Sequence, residues 1–488
     1  MSTFARLSAT AIAASVTSGA VTALAVMEDT LARLAAYDAH QPQVWISRAD
    51  PDALRAAARA IDVRVAAGAH LPLAGVPFAA KDNIDVAGLE TTAACPAFAY
   101  RPERSATVIE RLEAAGAICV GKTNLDQFAT GLVGTRSPYG IPRNAYNRDY
   151  VSGGSSSGSA IAVAAGLVAF ALGTDTAGSG RVPAAFNHLI GLKPTKGRWS
   201  TRGLVPACRT LDCITVFTDA LHDAQAVDAV IAGFDAEDAF SRPRSDVPMT
   251  GRRIGVPRPD QRVFFGDVLA FPTTGTTYRV AELLEAPVAL NSNLGLYTNF
   301  VNLLDMAALA VPAGARDNGT GFGITLIGPA HSDLALIDLA GSYLASADLP
   351  PPPPLDLGDR MDTVKLAVVG AHLEGMPLHW QLTSRGATFV GAFTTAPNYR
   401  LYAMADSVPP KPALVHSEDG AEIALEVYEL DFASFGSFVA EVPPPLAIGT
   451  VTLADGSSVK GFVAEPRALT GAEDITHLGG WRAYIASR

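Results

Sequence analysis

The 488-residue chain has few of the features that mark disulfide scaffolds, metal centres and membrane spans. It contains four cysteines, Cys95, Cys119, Cys208 and Cys213, and no two of them form a CxxC pair. Neither they nor the nine histidines show metal-ligand spacing, so we expect reduced, inert cysteines and no metal. The longest apolar run, residues 160–172, is shorter than the roughly 18 residues that a bilayer span requires.

The chain has few charged residues, and its net negative charge does not favour binding to nucleic acid or anionic lipid. Charged residues make up 17% of the chain, and 37 Lys and Arg against 48 Asp and Glu give a formal net charge of −11. Without a run of basic residues, nucleic acid and anionic lipid are not expected partners. The Ala-rich N-terminal stretch is interrupted by Ser, Thr and Gly and lacks the continuous apolar core of a signal peptide, so we predict a cytoplasmic protein.

Apolar periodicity and turn residues predict an α/β protein. Helical spacing covers residues 18–37 and 50–66, and the run 74–85, AGVPFAAKDNID, is typical of a buried strand that ends near Lys81. Further helix and strand patterns then alternate along the chain, with predicted helices at 107–115, 124–130 and 160–172 and strands at 117–122 and 270–273. This alternation predicts a mixed sheet flanked by helices.

A proline-rich tract, LPPPPPLDLGD, divides the chain. Such a tract is stiff and extended, which is typical of a linker. We therefore predict a first domain over residues 1–347, a linker over 348–361 and a β-rich second domain over 362–488. The predicted strands of the second domain are KLAVVGA, ATFVGAF, EIALEVYEL, GSFVAEV, GTVTL and VKGFVAE.

Two serine-containing loops bracket the apolar run 160–172. The first, GGSSSGS over residues 153–159, taken alone is typical of a flexible linker or of a helix start with capping hydroxyls. The second, TDTAGSGR over 174–181, places small residues on both sides of Ser179. Its hydroxyl can therefore be exposed while neighbouring N–H groups converge, as a nucleophile with an oxyanion hole requires.

A serine nucleophile needs a base, and two residues compete for that role. His188 is the nearest downstream histidine, but its surroundings carry no triad motif and favour a structural role. Lys81 can act as a neutral base if burial lowers its pKa. Taken alone, its position beside Asp82 and Asp85 equally fits a solvated loop lysine.

The ordered motifs around these serines resemble the amidase signature family. The match is densest over residues 74–203 and rests on Lys81-Asp82, GGSSSGS, TDTAGSGR, GKTNLDQFATG, SPYG and GLKPTKGR, with AVPAG further along. The resemblance implies a Ser-Ser-Lys triad. In that triad Ser179 is the nucleophile, Ser155, with a cis peptide bond before it, relays the proton, and Lys81 is the base.

Two further properties follow from the same resemblance. The backbone N–H groups of Thr176, Ala177 and Gly178, together with that of Ser179, would form the oxyanion hole. Ala177 stands where many relatives have glycine, a mild change because only its N–H is needed. The family uses no metal or organic cofactor and commonly forms dimers, so we expect a homodimer without cofactor.

Within this family the chain resembles the allophanate hydrolases. The stretches LNSNLGLYTNFVNLLD, VVGAHLEGMPLHWQL and YELDFASFGSFVAEVPPPLAIGTVTL are similar to that subgroup, whose C-terminal domain resembles γ-glutamyl cyclotransferase. The implied reaction is hydrolysis of allophanate to ammonia and carbon dioxide in urea degradation. In some relatives a histidine of the second domain assists decarboxylation, and His372 is its best match here, with His379 second and a structural role for either equally open.

The chain departs from the family pattern near residues 258–269. Several dozen residues that supply a carboxylate-binding Tyr and Arg have no match, either because a natural protein lacks them or because they were deleted or omitted from this sequence. A real loss would expose apolar surface. The open alternatives are a hydrolase of another small amide, an amidotransferase subunit, which the second domain disfavours, and a catalytically weakened homologue that acts in binding or assembly.

Overall fold

The computed structural model describes residues 5–247, 253–255, 267–358, 363–405 and 407–488. Contacts divide the chain into two compact units, Met1–Gly358 and Asp359–Arg488, and each unit has buried apolar clusters of its own.

Ten strands within the described residues of the first unit form one mixed sheet. They are β1 (Trp45–Arg48), β2 (Pro77–Lys81), β3 (Ile118–Thr123), β4 (Phe170–Asp175), β5 (Ile190–Lys193), β6 (Cys213–Thr218), β7 (Ile254–Gly255), β8 (Val268–Pro272), β9 (Ala307–Ala315) and β10 (Gly321–Gly328). Their order is β1-β3-β2-β4-β6-β5-β9-β10-β8-β7. Strand β2 is parallel to both β3 and β4, so the carboxyl ends of these three strands lie at the same edge of the sheet.

Helices cover both faces of this sheet, as the sequence predicts. They are α1 (Ala9–Thr17), α2 (Ala23–Asp38), α3 (Pro51–Ala66), α4 (Thr107–Ala114), α5 (Ser157–Ala164), α6 (Arg181–Phe186), α7 (Leu221–Ile231), α8 (Val280–Glu285), α9 (Ala289–Leu294), α10 (Asn299–Leu303) and α11 (Asp333–Ser346). Phe78 and Ala80 of β2 pack into one apolar cluster with α4, α7 and α11. Ala79, between them, packs into the other with α2, α3 and α5. Successive strand residues point to opposite faces, so the alternation places a helical layer on each side.

Two predicted helices of the first unit are wrong. The run 160–172 contains the end of α5, which stops at Ala164, and the beginning of β4 at Phe170. Both elements are fully buried, and a continuous apolar run indicates burial without distinguishing helix from strand. Residues 124–130 form only a 3-10 turn, Gln127–Ala129, since the Asp126 carboxylate accepts backbone N–H groups of residues 133, 134 and 136.

The second unit is β-rich. Its strands are β11 (Thr363–Val368), β12 (Thr388–Thr394), β13 (Tyr399–Ala403), β14 (Pro412–His416), β15 (Ala424–Asp431), β16 (Leu446–Thr452), β17 (Ser458–Ala464) and β18 (Glu473–Asp474). Its helices are α12 (Trp380–Thr383), α13 (Phe432–Ala440) and α14 (Trp481–Ala486). The described residues form sheets in the orders β12-β15-β11-β17-β16 and β14-β13-β18.

The predicted strand GSFVAEV is wrong, because most of it belongs to α13. Asp431 ends β15, and its carboxylate accepts the N–H of Ser434 at 2.9 Å. This is an N-cap contact that starts a helix.

The end of the proline-rich tract packs against the first unit. Leu355 and Leu357 contact one of its apolar clusters, and the Asp356 carboxylate accepts the N–H of Arg148 at 2.7 Å. This part of the predicted linker is therefore held in place.

The predicted gap at 258–269 lies mostly outside the described residues, which resume at Asp267; the strand predicted at 270–273 is confirmed as β8. The segment 284–304 exposes more than half of five large apolar side chains, namely Leu284, Val288, Leu296, Leu303 and Leu304. This is the kind of uncovered apolar surface that a missing segment would leave.

No helix in the described part of the chain is both long and apolar enough to cross a membrane. Likewise, the described residues hold no group of three or more His, Cys, Asp or Glu side chains arranged to bind a metal ion.

Candidate active site

Lys81 lies at the carboxyl edge of the large sheet, next to the loops that follow β3 and β4. It is the last residue of β2 and is fully buried. Its Nζ donates to Ser155 Oγ at 2.7 Å and to Thr174 Oγ1 at 2.6 Å. Lys81 Nζ contacts Thr174 because β2 and β4 are parallel neighbours whose carboxyl ends lie side by side. Thr174 is a site residue that the motif comparison missed.

The neighbouring Asp82 does not neutralise Lys81, because it pairs with another lysine. Lys122 Nζ lies 3.2 Å from Asp82 Oδ1, and both side chains are fully buried. The two contacts of Lys81 Nζ among the described residues are therefore neutral hydroxyls. Burial lowers the pKa of Lys81 to about 7, against the opposing attraction of Asp126, Asp212 and Asp175. A substantial fraction of Lys81 is consequently uncharged near neutral pH and can accept a proton.

Ser155 follows a cis peptide bond from Gly154. A Cβ on Gly154 would lie 2.1 Å from Asp126 Oδ2, so this position requires glycine. The N–H of Asp126 donates to the carbonyl of Ser155 at 3.1 Å. Asp126 thus links Ser155 to the loop that contains residues 133, 134 and 136, whose N–H groups its carboxylate accepts.

Ser179 lies in the loop that follows β4, held by a buried ion pair. Arg181 Nε and Nη2 donate to the two oxygens of Asp175 at 2.8 and 2.9 Å, and both side chains are fully buried. Although burial raises it, the pKa of Asp175 is held below its ordinary value by Arg181. The Ser179 hydroxyl donates to the carbonyl of Gly131 at 3.2 Å, and no hydrogen bond joins it to Ser155 within the described structure.

The predicted oxyanion-hole residues do not all have free N–H groups. Gly178 N–H donates to Asp175 Oδ1 at 2.7 Å, so it is committed to the loop in this conformation. Contacts of the described residues assign no acceptor to the N–H groups of Thr176, Ala177 and Ser179. Gly178 itself has a φ of +130°, and a Cβ there would meet Thr298 Oγ1 at 2.4 Å. Glycine is therefore required by backbone geometry and by space.

A cavity of about 370 Å³ opens over Ser179. Thr176 and Ala177 line one side with Ser179, and residues 129–132 and 207–208 line others. The segment 291–299 contributes Asn291, whose Oδ1 accepts the N–H of Leu132 at 2.8 Å. This contact turns the Asn291 amide so that its NH₂ group remains available as a donor.

His188 takes no part in this arrangement. Its ring packs edge-on against Tyr146 with centroids 5.0 Å apart, and burial lowers its pKa to about 4. Among the described contacts none links it to Lys81, Ser155 or Ser179, in keeping with the structural role that its surroundings favour.

The two histidines singled out in the second unit have different surroundings. His372 lines a cavity of about 240 Å³ together with Gln381, Lys411 and Phe462. Its Nε2 is 2.8 Å from Gln381 Oε1, its ring stacks on Phe462, and burial lowers its pKa. His379 Nε2 instead contacts the hydroxyl of Tyr428 at 3.1 Å.

Replacing Arg181 by leucine should destabilise the first unit by about 3–5 kcal/mol, because Asp175 would remain buried without its ion pair. The matched control is Arg279→Leu, which breaks an exposed pair with Asp149 and should cost no more than about 1 kcal/mol. Urea unfolding curves of the two variants provide the comparison. Equal midpoints would show that the Asp175–Arg181 pair does not hold the loop.

Each of the two units matches a different family of known proteins. The sequence matches the amidase family over residues 28–264 and the allophanate hydrolase C-terminal domain over residues 364–486. The solved structure of Kluyveromyces lactis allophanate hydrolase aligns with a TM-score of 0.59 at 37% identity, covering 94% of this chain and 99% of that chain. This chain belongs to the allophanate hydrolase family. A serine-to-alanine variant of the same yeast protein aligns with a TM-score of 0.63 at 37% identity, over 95% of this chain and 96% of that one.

The allophanate hydrolase family also includes parts of larger proteins. The urea amidolyase of Saccharomyces cerevisiae is 40% identical over 543 residues, which cover 85% of this chain and 30% of that protein. Our chain thus spans about 30% of the length of this relative. The aligned stretch is longer than the chain itself, so the yeast protein has residues within it that lack a counterpart here.

Proposed function

We propose that this chain is an allophanate hydrolase that cleaves the amide through Ser179, Ser155 and Lys81. The observation that carries the proposal is the buried contact between Lys81 Nζ and Ser155 Oγ, beside a cavity that contains Ser179. Family membership supplies the substrate class. The cavity volume suits a small linear amide, because pockets that enclose small ligands begin at about 300 Å³.

In the proposed first step, neutral Lys81 accepts a proton from Ser155, and Ser155 accepts one from Ser179. The Ser179 hydroxyl must first turn from the Gly131 carbonyl toward Ser155. Its oxygen then bonds to the amide carbon of allophanate, and the N–H groups of Thr176, Ala177 and Ser179 face the oxyanion. Gly178 N–H joins them only if it leaves Asp175. The proton returns through Ser155 to the departing ammonia, and water releases the acyl group as N-carboxycarbamate.

Recognition of the substrate carboxylate is assigned to neutral donors on the described cavity wall. The Asn291 NH₂ group is the best placed of these, since its oxygen is already occupied by Leu132 N–H. The proposal therefore does not depend on the Tyr and Arg that the sequence lacks.

The experiment that tests the proposal is ammonia release from allophanate, with biuret as a neutral amide of similar size. Faster turnover of allophanate is expected. Turnover of biuret alone would support a hydrolase of another small amide, and turnover of neither by folded protein would support a binding or assembly role. A cytoplasmic location and a homodimer remain predictions, the latter tested by sedimentation.

We assign the second step, decarboxylation of N-carboxycarbamate, to the cavity around His372. Burial lowers the pKa of His372, and its ring lines this cavity together with Lys411. In His372→Ala the first ammonia should appear at the wild-type rate, whereas early ammonia per allophanate consumed should fall from two toward one.

The matched control for that prediction is His379→Ala, which removes the other candidate histidine and should retain a ratio of two. Parallel assays of ammonia and remaining allophanate measure the ratio. A ratio of two in both variants would contradict a catalytic role for this cavity, and a loss in His379→Ala alone would transfer the role to His379.

A further inference from the structure

Asp212 joins two walls of the Ser179 cavity. It directly precedes β6 and is buried, with 3% of its surface exposed. Its Oδ1 accepts the hydroxyl of Thr176, and both of its oxygens accept the N–H of Cys208 at 3.1 Å. Thr176 and Cys208 line the cavity from separate loops, so one carboxylate fixes the distance between them.

The loop that carries Cys208 is closed by the same residue. The N–H groups of Leu211 and Asp212 donate to the carbonyl of Cys208 at 2.9 and 3.0 Å, and Asn302 Nδ2 donates to the carbonyl of Leu211 at 3.1 Å. This turn returns the Asp212 carboxylate toward the loop that contains Ser179. Thr176 therefore has an anchored side chain while its N–H remains available to a substrate oxyanion.

The carboxylates around Lys81 differ in how their charge is balanced. Asp175 is paired with Arg181 and also faces Lys193, and Asp126 accepts three backbone N–H groups. Asp212 has no Arg, Lys or His ion-pair partner among the described residues. Among the described residues, Lys81 is the charged group that acts on Asp212, and the Cys213 thiol, the Thr176 hydroxyl and the N–H groups of Ala207 and Cys208 also face it.

We propose that Asp212 is a positioning residue with two effects on the reaction. It holds Thr176 in place to receive the oxyanion, and its negative charge, together with those of Asp126 and Asp175, raises the pH at which Lys81 becomes a neutral base. The inference rests on the proposed Ser-Ser-Lys mechanism, in which the base is the uncharged amine. Removing the charge favours the neutral form of Lys81, while loosening Thr176 weakens stabilisation of the transition state.

The test is the pH profile of kcat/KM for Asp212→Asn. Its rising limb should move by about one pH unit toward acid, and the plateau should fall roughly tenfold as the Thr176 anchor weakens. The matched control is Asp333→Asn. Asp333 is equally buried and accepts an N–H and a hydroxyl, both from Thr195, at 2.7 and 2.6 Å, but it does not act on Lys81.

A second variant, Asp212→Glu, distinguishes the effect of the charge at residue 212 from the effect of its side-chain geometry. Asp212→Glu retains the charge, so its profile should keep the wild-type midpoint while its plateau falls. A midpoint that is the same in Asp212→Asn, Asp333→Asn and wild type would overturn the proposal, as would a shift toward alkaline pH. If Asp212→Asn does not fold, an Asp212→Glu midpoint displaced toward acid would overturn it, and an unchanged midpoint with a lower plateau would support it.

Direct titration of Lys81 distinguishes failure of this inference from failure of the proposed function. The lysine side chains are labelled with ¹³C at Cε, and the Lys81 signal is assigned by its loss in Lys81→Met. A lower titration midpoint in Asp212→Asn supports the coupling even if allophanate proves not to be the substrate. An unchanged midpoint refutes the coupling even if allophanate is cleaved.

Discussion

Ser179→Ala is expected to reduce ammonia release from allophanate by at least about 10⁴-fold, because no other hydroxyl among the described residues that line the cavity has the same position beside the N–H groups of Thr176 and Ala177. The stability of the protein should hardly change. The Ser179 hydroxyl makes one hydrogen bond among the described contacts, to Gly131, and alanine fits the same space. Loss of activity would therefore reflect loss of the nucleophile.

Covalent labelling makes this prediction independent of the substrate. A fluorophosphonate probe should label the wild-type protein and should not label Ser179→Ala. Ser342→Ala is a suitable control, since Ser342 lies on helix α11 and, among the described contacts, its hydroxyl donates only to the carbonyl of Asp338. Equal labelling of Ser179→Ala and wild type would show that another residue is the nucleophile. Labelling without turnover of allophanate would preserve Ser179 and reject the substrate.

The sequence marks residues of the candidate site but does not predict their contacts. Ser155, Ser179 and Lys81 are marked by motifs of small residues and by a strand end, and the structure places Lys81 against Ser155. The contact of Lys81 with Thr174 and the ion pair of Asp82 with Lys122 depend on the register of β2 against β4 and β3. Such register depends on how distant segments pair, and no local pattern around Lys81 reveals it.

The same limit explains the errors in the fold. The apolar run 160–172 and the segment GSFVAEV are both short apolar patterns, and composition alone does not decide between helix and strand there. In the first case Gly166, with a φ of +63°, follows the helix end, and in the second the Asp431 cap begins a helix.

The oxyanion hole shows a related limit. Gly178 supplies the expected glycine, yet its N–H is bonded to Asp175, a contact that depends on the conformation of the folded loop.

Lys81→Met should lower turnover by about 10²–10⁴-fold, the usual contribution of a general base, and should leave the fold intact. Methionine matches the length of the lysine side chain and suits a fully buried position. Lys81→Arg should be at least as inactive, because a guanidinium stays protonated throughout the accessible pH range and cannot accept a proton from Ser155. Far-ultraviolet circular dichroism of both variants would show that the loss is chemical.

The pH dependence of kcat/KM in the wild-type protein tests whether neutral Lys81 is the base. Burial lowers the pKa of Lys81 to about 7, so the amine is protonated and inactive below that pH and neutral above it. kcat/KM should therefore rise about tenfold per pH unit on the acid side and level off above pH 7, whereas an ordinary lysine would keep the rate rising to about pH 10.4. A profile that is flat between pH 5 and 9 would exclude Lys81 as the base. The residual activity of Lys81→Met should lose the rising limb, since the group that titrates has been removed.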